Sequence, residues 1–453
     1  MADIILNQGQ KNAFNLINEF INQDTDKYFL LQGEAGSGKS FLIRKLIYEL
    51  VDKKFKYKIL SPTNKALDIL TDFMPEYKNN ILTLARYNSY KQVITDEGLK
   101  VSKYDLKNKI EEIIFVDESS MINTDVFDCI ERQDCKFIFI ADIKQLAPVG
   151  EELSKIYKID FKENTYKLLE NERQKNAEMS LSTFINNVRK NGDNENYRLE
   201  SNEKYTTNDK NDFVEKALES FNTDDDTIIL CYTNSRCNSY NNQIRSLMFN
   251  KSNDELVKFY LGEDVVFSAS TFINKQNYSS GKKYRITHLK VVEKFLNNTL
   301  CLCKNKNKIE FISKTLIETK IEKCLKCHTS TSMKQCKSIK FFEIRLDDNS
   351  EYIYKPIDEE ENEKFKSIMK KHKDRSISSK NAYIWKQYYG FEDLYNAPIS
   401  YKYSITIHRA QGSGYRNVFV DCVNINYCQD SKLKNQLIYT AVSRSSNNLL
   451  CLI

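Results

Sequence analysis

Residues 27–46 read KYFLLQGEAGSGKSFLIRKL, and this stretch decides the fold. Its centre, from Gly33 to Ser40, fits the pattern G-x-x-x-x-G-K-[ST] at every fixed position. The apolar run before it predicts a buried strand, and the run after it predicts the start of a helix. In that setting the glycines allow backbone N–H groups to turn toward a phosphate at the helix N-terminus. A glycine-rich turn that binds nothing is the alternative, but the order strand, loop, helix favours a nucleoside triphosphate site.

Two side chains of this loop predict its chemistry. Lys39 would neutralise charge on the β- and γ-phosphates, and Ser40 would offer its hydroxyl to Mg²⁺. The residues expected to surround the phosphates are Gly33, Glu34, Ala35, Gly36, Ser37, Gly38, Lys39 and Ser40.

Length and composition limit the class of protein. At 453 residues the chain exceeds one compact core, and 41% hydrophobic with 12% aromatic residues supports globular domains. A net charge of +6 permits nucleic-acid binding without arguing for it. No apolar run is long enough to span a bilayer, and no signal-like stretch opens the sequence. We expect an intracellular, cytoplasmic protein with mostly reduced cysteines, or one in the host-cell cytoplasm or nucleus if its lysine- and asparagine-rich composition is viral.

Continuous apolar strands alternate with helical segments in the first third of the chain. The strands are predicted at 57–60, 113–116 and 137–141. Strands of this kind, separated by helices, indicate a parallel sheet that is covered on both faces. Ligands collect at the carboxyl ends of such strands, where Asp117, Glu118 and Asp142 stand.

The pair Asp117-Glu118 predicts the second half of a hydrolytic site. An aspartate at a strand end can hold Mg²⁺, and an adjacent glutamate can polarise the attacking water. An acidic pair in a loop is usually only solvated. Its place after an apolar strand, downstream of a phosphate loop, reverses that expectation.

The rest of the chain predicts two interruptions of the α/β pattern. A turn ending in Gly98, between short strand-like runs, indicates a β-hairpin. A second α/β unit begins after about residue 175, with a strand at 226–231 and a helix at 235–248. A lysine-rich and mostly β-like segment then precedes strands at 418–420 and 449–452, so we interpret that segment as an insertion.

Motifs along nearly the whole chain resemble the superfamily 1 DNA helicases, most closely the RecD/Dda-like group that moves 5′ to 3′. The motifs that carry the resemblance stand in the family's order at 6–14, 61–66, 117–121, 141–149, 169–174, 406–412 and 439–444. The resemblance implies an α/β fold with two RecA-like parallel-sheet motor domains and two insertions. The implied domains are 1–175, with a hairpin insertion at 85–110; 176–265 with 395–453; and an SH3-like β insertion with an accessory helical element at 266–394.

The resemblance also implies roles for individual residues. Gln10 would read the adenine of ATP, Gln145 would sense the γ-phosphate, and Arg173 would act as an arginine finger. The full catalytic set is Lys39, Glu118, Gln145, Arg173 and Arg444, with Ser40 and Asp117 on Mg²⁺ and Gln411 and Gly412 added to the nucleotide site. The implied DNA contacts are Pro62, Thr63, Asn64, Thr83, Thr233, Asn234, Thr406 and His408. For each threonine and asparagine, helix capping is an equally good interpretation.

Three features stay open. Cys324, Cys327 and His328, with Cys301, Cys303 and Cys336 nearby, could form a zinc site, but their irregular spacing favours buried thiols, and we expect no metal there. The aromatic cluster at 385–391 is better explained by core packing than by base stacking. The hairpin is either the strand separator, with Ile94 or Leu99 at the contact point, or an inert surface element.

The sequence therefore predicts an ATP-dependent DNA helicase that moves 5′ to 3′ on single strands and unwinds duplexes. Its partners would be single-stranded DNA, duplex junctions and proteins of replication, repair or recombination, and we expect a monomer without a membrane partner. The alternatives are a superfamily 1 RNA helicase, or a nucleic-acid-binding scaffold with an inert ATPase.

Overall fold

A computed structural model gives the architecture. It describes residues 6–23, 26–34, 36–51, 55–88, 91–95, 97, 100–103, 112–148, 150–168, 179–194, 197–224, 226–252, 256–268, 271–273, 276–278, 282–297, 322–323, 330–331, 336–347, 349, 351–379 and 381–453.

The first part of the chain forms a parallel sheet with helices on both faces. Its strands are β1 (Tyr28–Gly33), β2 (Tyr57–Ser61), β3 (Ile81–Thr83), β4 (Lys91–Ile94), β5 (Lys100–Lys103), β6 (Ile113–Val116), β7 (Lys136–Ala141) and β8 (Thr165–Leu168). Its helices are α1 (Gln8–Asn22), α2 (Lys39–Leu46), α3 (Asn64–Phe73), α4 (Leu84–Tyr87) and α5 (Thr124–Glu131). Six of these described strands pair in the order β3-β2-β6-β7-β1-β8, all parallel, while β4 and β5 form a separate antiparallel hairpin.

The remaining elements follow in chain order. The strands are β9 (Thr206–Thr207), β10 (Thr227–Cys231), β11 (Asp264–Phe267), β12 (Thr271–Ile273), β13 (Gln276–Tyr278), β14 (Lys283–Asn297), β15 (Glu322–Lys323), β16 (Ser330–Thr331), β17 (Cys336–Leu346), β18 (Tyr352–Pro356), β19 (Ile399–Tyr401), β20 (Ser404–Thr406), β21 (Tyr415–Asp421) and β22 (Ser445–Leu452). The helices are α6 (Met179–Lys190), α7 (Lys210–Thr223), α8 (Asn234–Phe249), α9 (Glu359–Ser379), α10 (Ala382–Tyr395), α11 (Ile407–Ala410), α12 (Cys422–Ile425) and α13 (Ser431–Val442).

Burial on both faces explains why the first sheet's strands are continuously apolar. Phe29 and Leu31 of β1 pack in one hydrophobic cluster with α1 and α2, whereas Leu30 packs in another with Phe127 of α5. A strand with both faces covered needs an apolar side chain at every position. We call this sheet and its helices the first core.

A second parallel sheet lies in the same compact unit. Its described strands run in the order β20-β10-β21-β22-β9. Helices α6 and α13 contribute Phe184, Ile185 and Leu437 to its hydrophobic cluster. We call this sheet and its helices the second core. The α/β fold with two RecA-like parallel sheets that the sequence predicts is confirmed, including the strands predicted at 57–60, 113–116 and 226–231.

The chain separates into two compact units. Unit 1 comprises Met1–Tyr90, Tyr104–Asp254 and Tyr403–Ile453, and unit 2 comprises Lys91–Lys103 and Glu255–Lys402. Both cores lie in unit 1. Unit 2 holds an antiparallel sheet whose described strands run in the order β18-β17-β14-β11-β19.

The bounds of unit 2 differ from the expected insertion at 266–394. Strand β11 pairs antiparallel with β19, with Val265 opposite Tyr401. The two ends of the inserted segment therefore pair as neighbouring strands of one sheet, and this segment of unit 2 extends over Glu255–Lys402. The hairpin expected within the first motor domain also groups with unit 2, where β4 packs against α10.

Helices α9 and α10 cover one end of the unit 2 sheet. Trp385, Tyr388 and Phe391 are buried against Phe341 and Phe365, so the prediction that the aromatic cluster is core packing is confirmed. The candidate zinc residues Cys301, Cys303, Cys324, Cys327 and His328 lie outside the described residues. Across the described ranges, the structure has no helix that combines the length and apolar character needed to cross a membrane.

Candidate nucleotide and strand sites

The phosphate loop connects β1 to α2. Gly36 and Gly38 have φ angles of 85° and 79°, in the left-handed region that favours glycine, and Gly38 is the N-cap of α2. A Cβ on Gly33 would overlap Ser37 Oγ. The loop therefore has its glycines where the backbone is tightest, and it ends with free N–H groups at a helix N-terminus.

Lys39 occupies the mouth of this loop. Its Nζ donates to the carbonyl oxygens of Gly33 at 2.9 Å and Glu34 at 2.7 Å. The hydroxyl of Ser37 is buried in the same loop, and no described residue forms a hydrogen bond with it. An ammonium held by carbonyl oxygens and an orphaned donor beside it fit a phosphate group, whose oxygens would satisfy both.

A cavity of about 650 Å³ opens at the loop. It is lined from the first core by Leu6, Asn7, Gln10, Gly36, Gly38, Lys39, Ser40, Phe41, Ala66, Ile69, Leu70, Phe73, Asp117, Glu118 and Gln145, and from the second core by Gly412, Ser413, Gly414 and Arg444. One cavity thus gathers most of the predicted nucleotide residues. Gly33, Glu34, Ser37 and Gln411 are not among its lining residues. Ala35 and Arg173 lie outside the described residues.

The carboxylates follow strand β6. Asp117 Oδ1 accepts a hydrogen bond from the N–H of Glu118 at 2.9 Å, and Ser119 Oγ donates to the carbonyl of Ile140 at 2.8 Å. Glu118 has a φ of 49°, which is rare for a residue with a side chain. Both carboxylates and the Ser40 hydroxyl line the cavity, so hard oxygen ligands of the kind Mg²⁺ prefers are present there.

Gln145 lies at the back of the cavity. Its Nε2 is 3.4 Å from Asp142 Oδ2, while its Oε1 is buried without a partner among the described residues. A buried acceptor with no donor is costly, so it indicates a place for a water or ligand donor.

Arg444 enters from the second core. Its side chain is held by three bonds: Nε to Thr440 O at 3.0 Å, Nη1 to Ser413 O at 3.1 Å, and Nη2 to Ser443 Oγ at 3.2 Å. The residue is only 3% exposed. A permanent positive charge is therefore fixed in the wall of the cavity that Lys39 also lines.

Gln411 has a different position from the one predicted. Its Nε2 donates to the carbonyl of Leu146 at 2.9 Å, which joins the second core to the first. Its neighbour Gly412, with a φ of 73°, approaches Thr63 so closely that a Cβ there would lie 3.2 Å from Thr63 Oγ1. The structure thus places Gln411 at the contact between the cores rather than in the cavity lining.

Gln10 forms a capping box at the start of α1. Its N–H donates to Asn7 Oδ1 at 2.8 Å, and its Oε1 accepts from the N–H of Asn7 at 3.1 Å. The side chain is thereby oriented along a cavity wall that includes the apolar Phe41, Ile69 and Phe73. A flat apolar wall with one fixed amide suits a nucleobase.

Three of the predicted DNA-contacting threonines cap helices. Thr63 Oγ1 accepts from Ala66 N at 3.2 Å, Thr83 Oγ1 from Arg86 N at 3.1 Å, and Thr233 Oγ1 from Arg236 N at 3.3 Å. Capping uses an acceptor lone pair and leaves the O–H as a donor. The hydroxyls of Thr63 and Thr83 can therefore cap a helix and donate to a phosphate oxygen at the same time, whereas Thr233 Oγ1 also donates to Asn424 Oδ1 at 3.4 Å.

The other residues predicted to contact DNA also lie at or near the N-termini of helices. Thr406 is the N-cap of α11, and His408 in that helix lies 6.5 Å from the ring of Tyr232, centroid to centroid. Burial lowers the pKa of His408, which favours the neutral ring. Asn234 is exposed at the start of α8, Pro62 is half-buried before α3, and Asn64 begins α3.

Two polar residues were not found by sequence reasoning. Asn424 Oδ1 accepts from the backbone N–H groups of Tyr232 and Thr233, both at 2.9 Å, and so fixes the end of β10. Arg189 of α6 pairs with Glu34 of the phosphate loop. A single arginine or asparagine in an ordinary helix carries no sequence signal for such a contact.

Comparisons with known proteins agree with this geometry. The chain matches the AAA domain family over residues 18–151 and the UvrD-like helicase C-terminal domain family over residues 401–451. The first match covers the phosphate loop and Asp117-Glu118, and the second covers Gly412 and Arg444.

Relatives match this chain along most of its length. It is 26% identical to an uncharacterized protein of Acanthamoeba polyphaga mimivirus, over 98% of this chain and 99% of that protein. It is 25% identical to the RecBCD enzyme subunit RecD of Buchnera aphidicola, over 92% of this chain and 69% of that protein. Among solved structures, the Pif1 helicase from Bacteroides in complex with ADP-AlF3 and ssDNA is similar with a TM-score of 0.47 and 16% identity, over 99% of this chain and 92% of that one.

Proposed function

We propose that this protein is a DNA helicase that hydrolyses ATP to move 5′ to 3′ along single-stranded DNA and to unwind duplexes. The observation that carries the proposal is the single cavity lined by Lys39 and Glu118 of the first core and by Arg444 of the second. A triphosphate in that cavity would contact both cores. Its cleavage would remove the group that holds them together, and this is how a conformational cycle is coupled to hydrolysis.

Each residue has a proposed part in the hydrolysis. Mg²⁺, when bound by Ser40 and Asp117, would neutralise charge on the β- and γ-phosphate oxygens. Lys39 would exchange its two loop carbonyls for phosphate oxygens. Glu118 would orient the attacking water and accept its proton, and Arg444 would stabilise charge that develops on the γ-phosphoryl oxygens. Arg173 remains a second proposed arginine finger.

The proposed strand site uses the capped helix N-termini. The N-termini of α3 and α8 each supply a partial positive charge, and at α3 the Thr63 hydroxyl can also donate its proton to a phosphate. Phosphates bound there fix a strand without reading its sequence, as a translocating protein requires. The 5′-to-3′ polarity is supported by the motif resemblance to the RecD/Dda-like group.

Two assays test the proposal. ATP hydrolysis is measured with and without single-stranded DNA, and with RNA of the same sequence, and we expect DNA to stimulate more strongly. Unwinding is then measured on 5′-tailed and 3′-tailed duplexes, and we expect activity on the 5′-tailed substrate. Activity confined to 3′-tailed duplexes contradicts the polarity, stronger stimulation by RNA favours an RNA helicase, and no hydrolysis indicates an inert scaffold.

One variant ties the assay to the cavity. Arg444→Ala should reduce DNA-stimulated turnover by about 10³-fold, as arginine fingers do. Arg416→Ala is the matched control, because Arg416 is exposed on the same core and pairs only with Asp224 at 3.3 Å among the contacts described. A loss below tenfold for Arg444→Ala would mean that this arginine is not a finger.

A further inference from the structure

Arg189 links the second core to the phosphate loop. It stands near the end of α6, whose Phe184, Ile185 and Val188 are buried in the second core. Its Nη1 contacts Glu34 Oε1, and both side chains are only 15% exposed. Glu34 is the second residue of the phosphate loop, so one ion pair connects the second core to the loop that would hold the triphosphate.

A second carboxylate lies on the other side of the guanidinium. Arg189 Nη2 is 4.0 Å from Asp142 Oδ1, at the end of β7. Asp142 Oδ2 accepts a hydrogen bond from Tyr439 OH at 2.9 Å, and the Arg189 guanidinium lies 6.0 Å from the Tyr439 ring. The guanidinium therefore stands between two carboxylates of the first core, beside a tyrosine of the second.

The charges show what this arginine does to its neighbours. Burial raises the pKa of Glu34, Arg189 opposes that shift most strongly, Asp142 adds to it, and Lys39 and Lys167 oppose it to a smaller extent. Without the guanidinium, two acidic groups would face each other in a poorly hydrated site next to the place where a triphosphate would bind. Removing one partner of a buried ion pair leaves an uncompensated charge, which costs more than the pair contributes.

The position of Arg189 separates this role from direct contact with the nucleotide. Neither Arg189 nor Glu34 lines the cavity that holds Lys39 and Glu118. The Nε of Arg189 is buried without a hydrogen-bond partner among the described residues, so the guanidinium is fixed by its carboxylates rather than by a complete set of bonds. An effect on ATP must therefore pass through Glu34 or Asp142.

We propose that Arg189 is a positioning residue that holds the phosphate loop in register with the second core and neutralises Glu34 beside the triphosphate. Binding of single-stranded DNA to the second core then changes the rate of ATP hydrolysis through the Arg189–Glu34 ion pair. This inference rests on the proposed function, because it supposes that ATP occupies the cavity and that a strand stimulates its hydrolysis.

A set of four variants tests both parts of the role. Arg189→Ala should raise the KM for ATP by about tenfold or more, because the charge of Glu34 is then uncompensated, and should lower the DNA-stimulated kcat by a similar factor. Glu34→Gln should lower the stimulated kcat, because the link is lost, and should raise KM less than Arg189→Ala does, because no orphan charge is created. The double variant Arg189→Ala/Glu34→Gln should recover KM and keep the low kcat. Arg189→Lys should recover part of both, since it restores the charge without the planar fork.

The matched control is Lys190→Ala, which removes a neighbouring exposed cation from the same helix. It should leave KM and kcat unchanged. Unfolding temperatures are measured for every variant, and Glu34→Gln and Arg189→Lys carry the test if Arg189→Ala does not fold. A wild-type KM in Arg189→Ala, or a full stimulated kcat in Glu34→Gln, would overturn the inference.

The failure of this inference can be told apart from failure of the proposed function. If wild-type protein shows no strand-stimulated hydrolysis, the proposed function fails. The affinity of a fluorescent ATP analogue for Arg189→Ala and for the double variant still tests the electrostatic part. Weak binding that Glu34→Gln restores supports that part, and equal binding by all variants overturns it.

Discussion

Glu118 has a left-handed backbone conformation, which is unusual for a residue with a side chain. Its φ of 49° belongs to a region that costs residues with side chains roughly 1–3 kcal/mol. The bond from its N–H to Asp117 Oδ1 and the bond from Ser119 Oγ to Ile140 O hold that turn from both sides. Strain at this residue is therefore maintained by the surrounding structure, as is common at active sites.

Substitutions of Lys39 and of Glu118 should block different stages of ATP hydrolysis. Lys39→Ala removes phosphate neutralisation, so we expect weaker ATP binding and no hydrolysis. Glu118→Gln keeps the shape and loses only the proton acceptor, so ATP should bind normally while cleavage stalls. Equilibrium binding and single-turnover hydrolysis separate these outcomes, and wild-type cleavage by Glu118→Gln would refute its assignment as the base.

Single residues also show what sequence reasoning can predict. Lys39, Glu118 and Arg444 were predicted because they stand in ordered motifs, and the structure brings all three to one cavity. Arg189 and Asn424 were missed. Their contacts join segments that are far apart in sequence, within the second core for Asn424 and between the two cores for Arg189, so only tertiary packing brings them together.

At the scale of elements, α3 of the first core and α8 of the second core begin in the same way. Helices α3 and α8 each follow a strand and begin at a threonine whose oxygen caps the first turn. The two interpretations that the sequence left open, capping and strand binding, are therefore compatible. A substitution that keeps one function and removes the other can distinguish their contributions.

Thr63→Asp makes that distinction. Aspartate caps a helix as well as threonine does and favours its positive end, so the unfolding temperature should not fall. A carboxylate has no proton to donate and repels phosphate, so single-strand affinity should fall by about tenfold or more. Thr63→Ser should preserve both properties.

The control for added charge is Asn123→Asp. Asn123 caps α5, which does not carry any proposed strand contact, with its side chain accepting from Val126 N at 3.0 Å. This variant should bind DNA like wild type. If Thr63→Asp also binds DNA like wild type, the hydroxyl of Thr63 does not contact the strand.

Unit 2 carries a pH-sensitive lysine. Burial, and then repulsion from Lys258, lowers the pKa of Lys355 to about 8, and its Nζ donates to Ala397 O at 2.7 Å. Because this folded-state pKa lies below the usual 10.5, folding disfavours the charged form at neutral pH. The resulting cost is fully present below pH 8 and fades as the pH rises toward 10.5.

Lys355→Met removes that titration. Between pH 7 and pH 10 the free energy of unfolding of the wild type should rise relative to that of the variant, on the order of 2 kcal/mol. Trp385 is the one tryptophan in the sequence and is buried in unit 2, so its fluorescence reports the unfolding of that unit. Lys371→Met, at an exposed position of α9, should show no such change, and a parallel pH profile for wild type and Lys355→Met would contradict the assignment.

Local pattern predicted the elements better than it predicted their grouping. Continuous apolar runs located β2, β6 and β7, and turn chemistry located the hairpin of β4 and β5, because these signals lie within a few residues. The pairing of β11 with β19 joins strands more than a hundred residues apart. No local pattern encodes that pairing, so the expected bounds of the insertion fell inside the sheet of unit 2.

At the scale of the whole molecule, the hairpin is the element whose function is most open to test. Replacing residues 92–101 with a short Gly-Ser turn should preserve single-strand-stimulated hydrolysis and abolish unwinding of 5′-tailed duplexes if the hairpin separates strands. Because β4 packs against α10, the same change also removes a contact within unit 2.

A milder variant controls for that loss. Replacing only the turn, residues 95–98, with Gly-Ser should leave both strands and the unfolding of unit 2 intact. The separator role predicts that unwinding survives in the milder variant if the contact is made by Ile94 or Leu99. Unwinding that persists after the full replacement would leave the hairpin as an inert surface element.

The grouping of the hairpin with unit 2 also affects how unit 2 can be exchanged between genes during evolution. The chain passes between the units at four points, near residues 90, 103, 254 and 402, instead of the two that a simple insertion has. A gene rearrangement that replaced Glu255–Lys402 as one cassette would leave the matching hairpin behind in the recipient's first third. Unit 2 should therefore evolve with its host chain rather than be exchanged among relatives, and chimaeras should require both segments from the same parent.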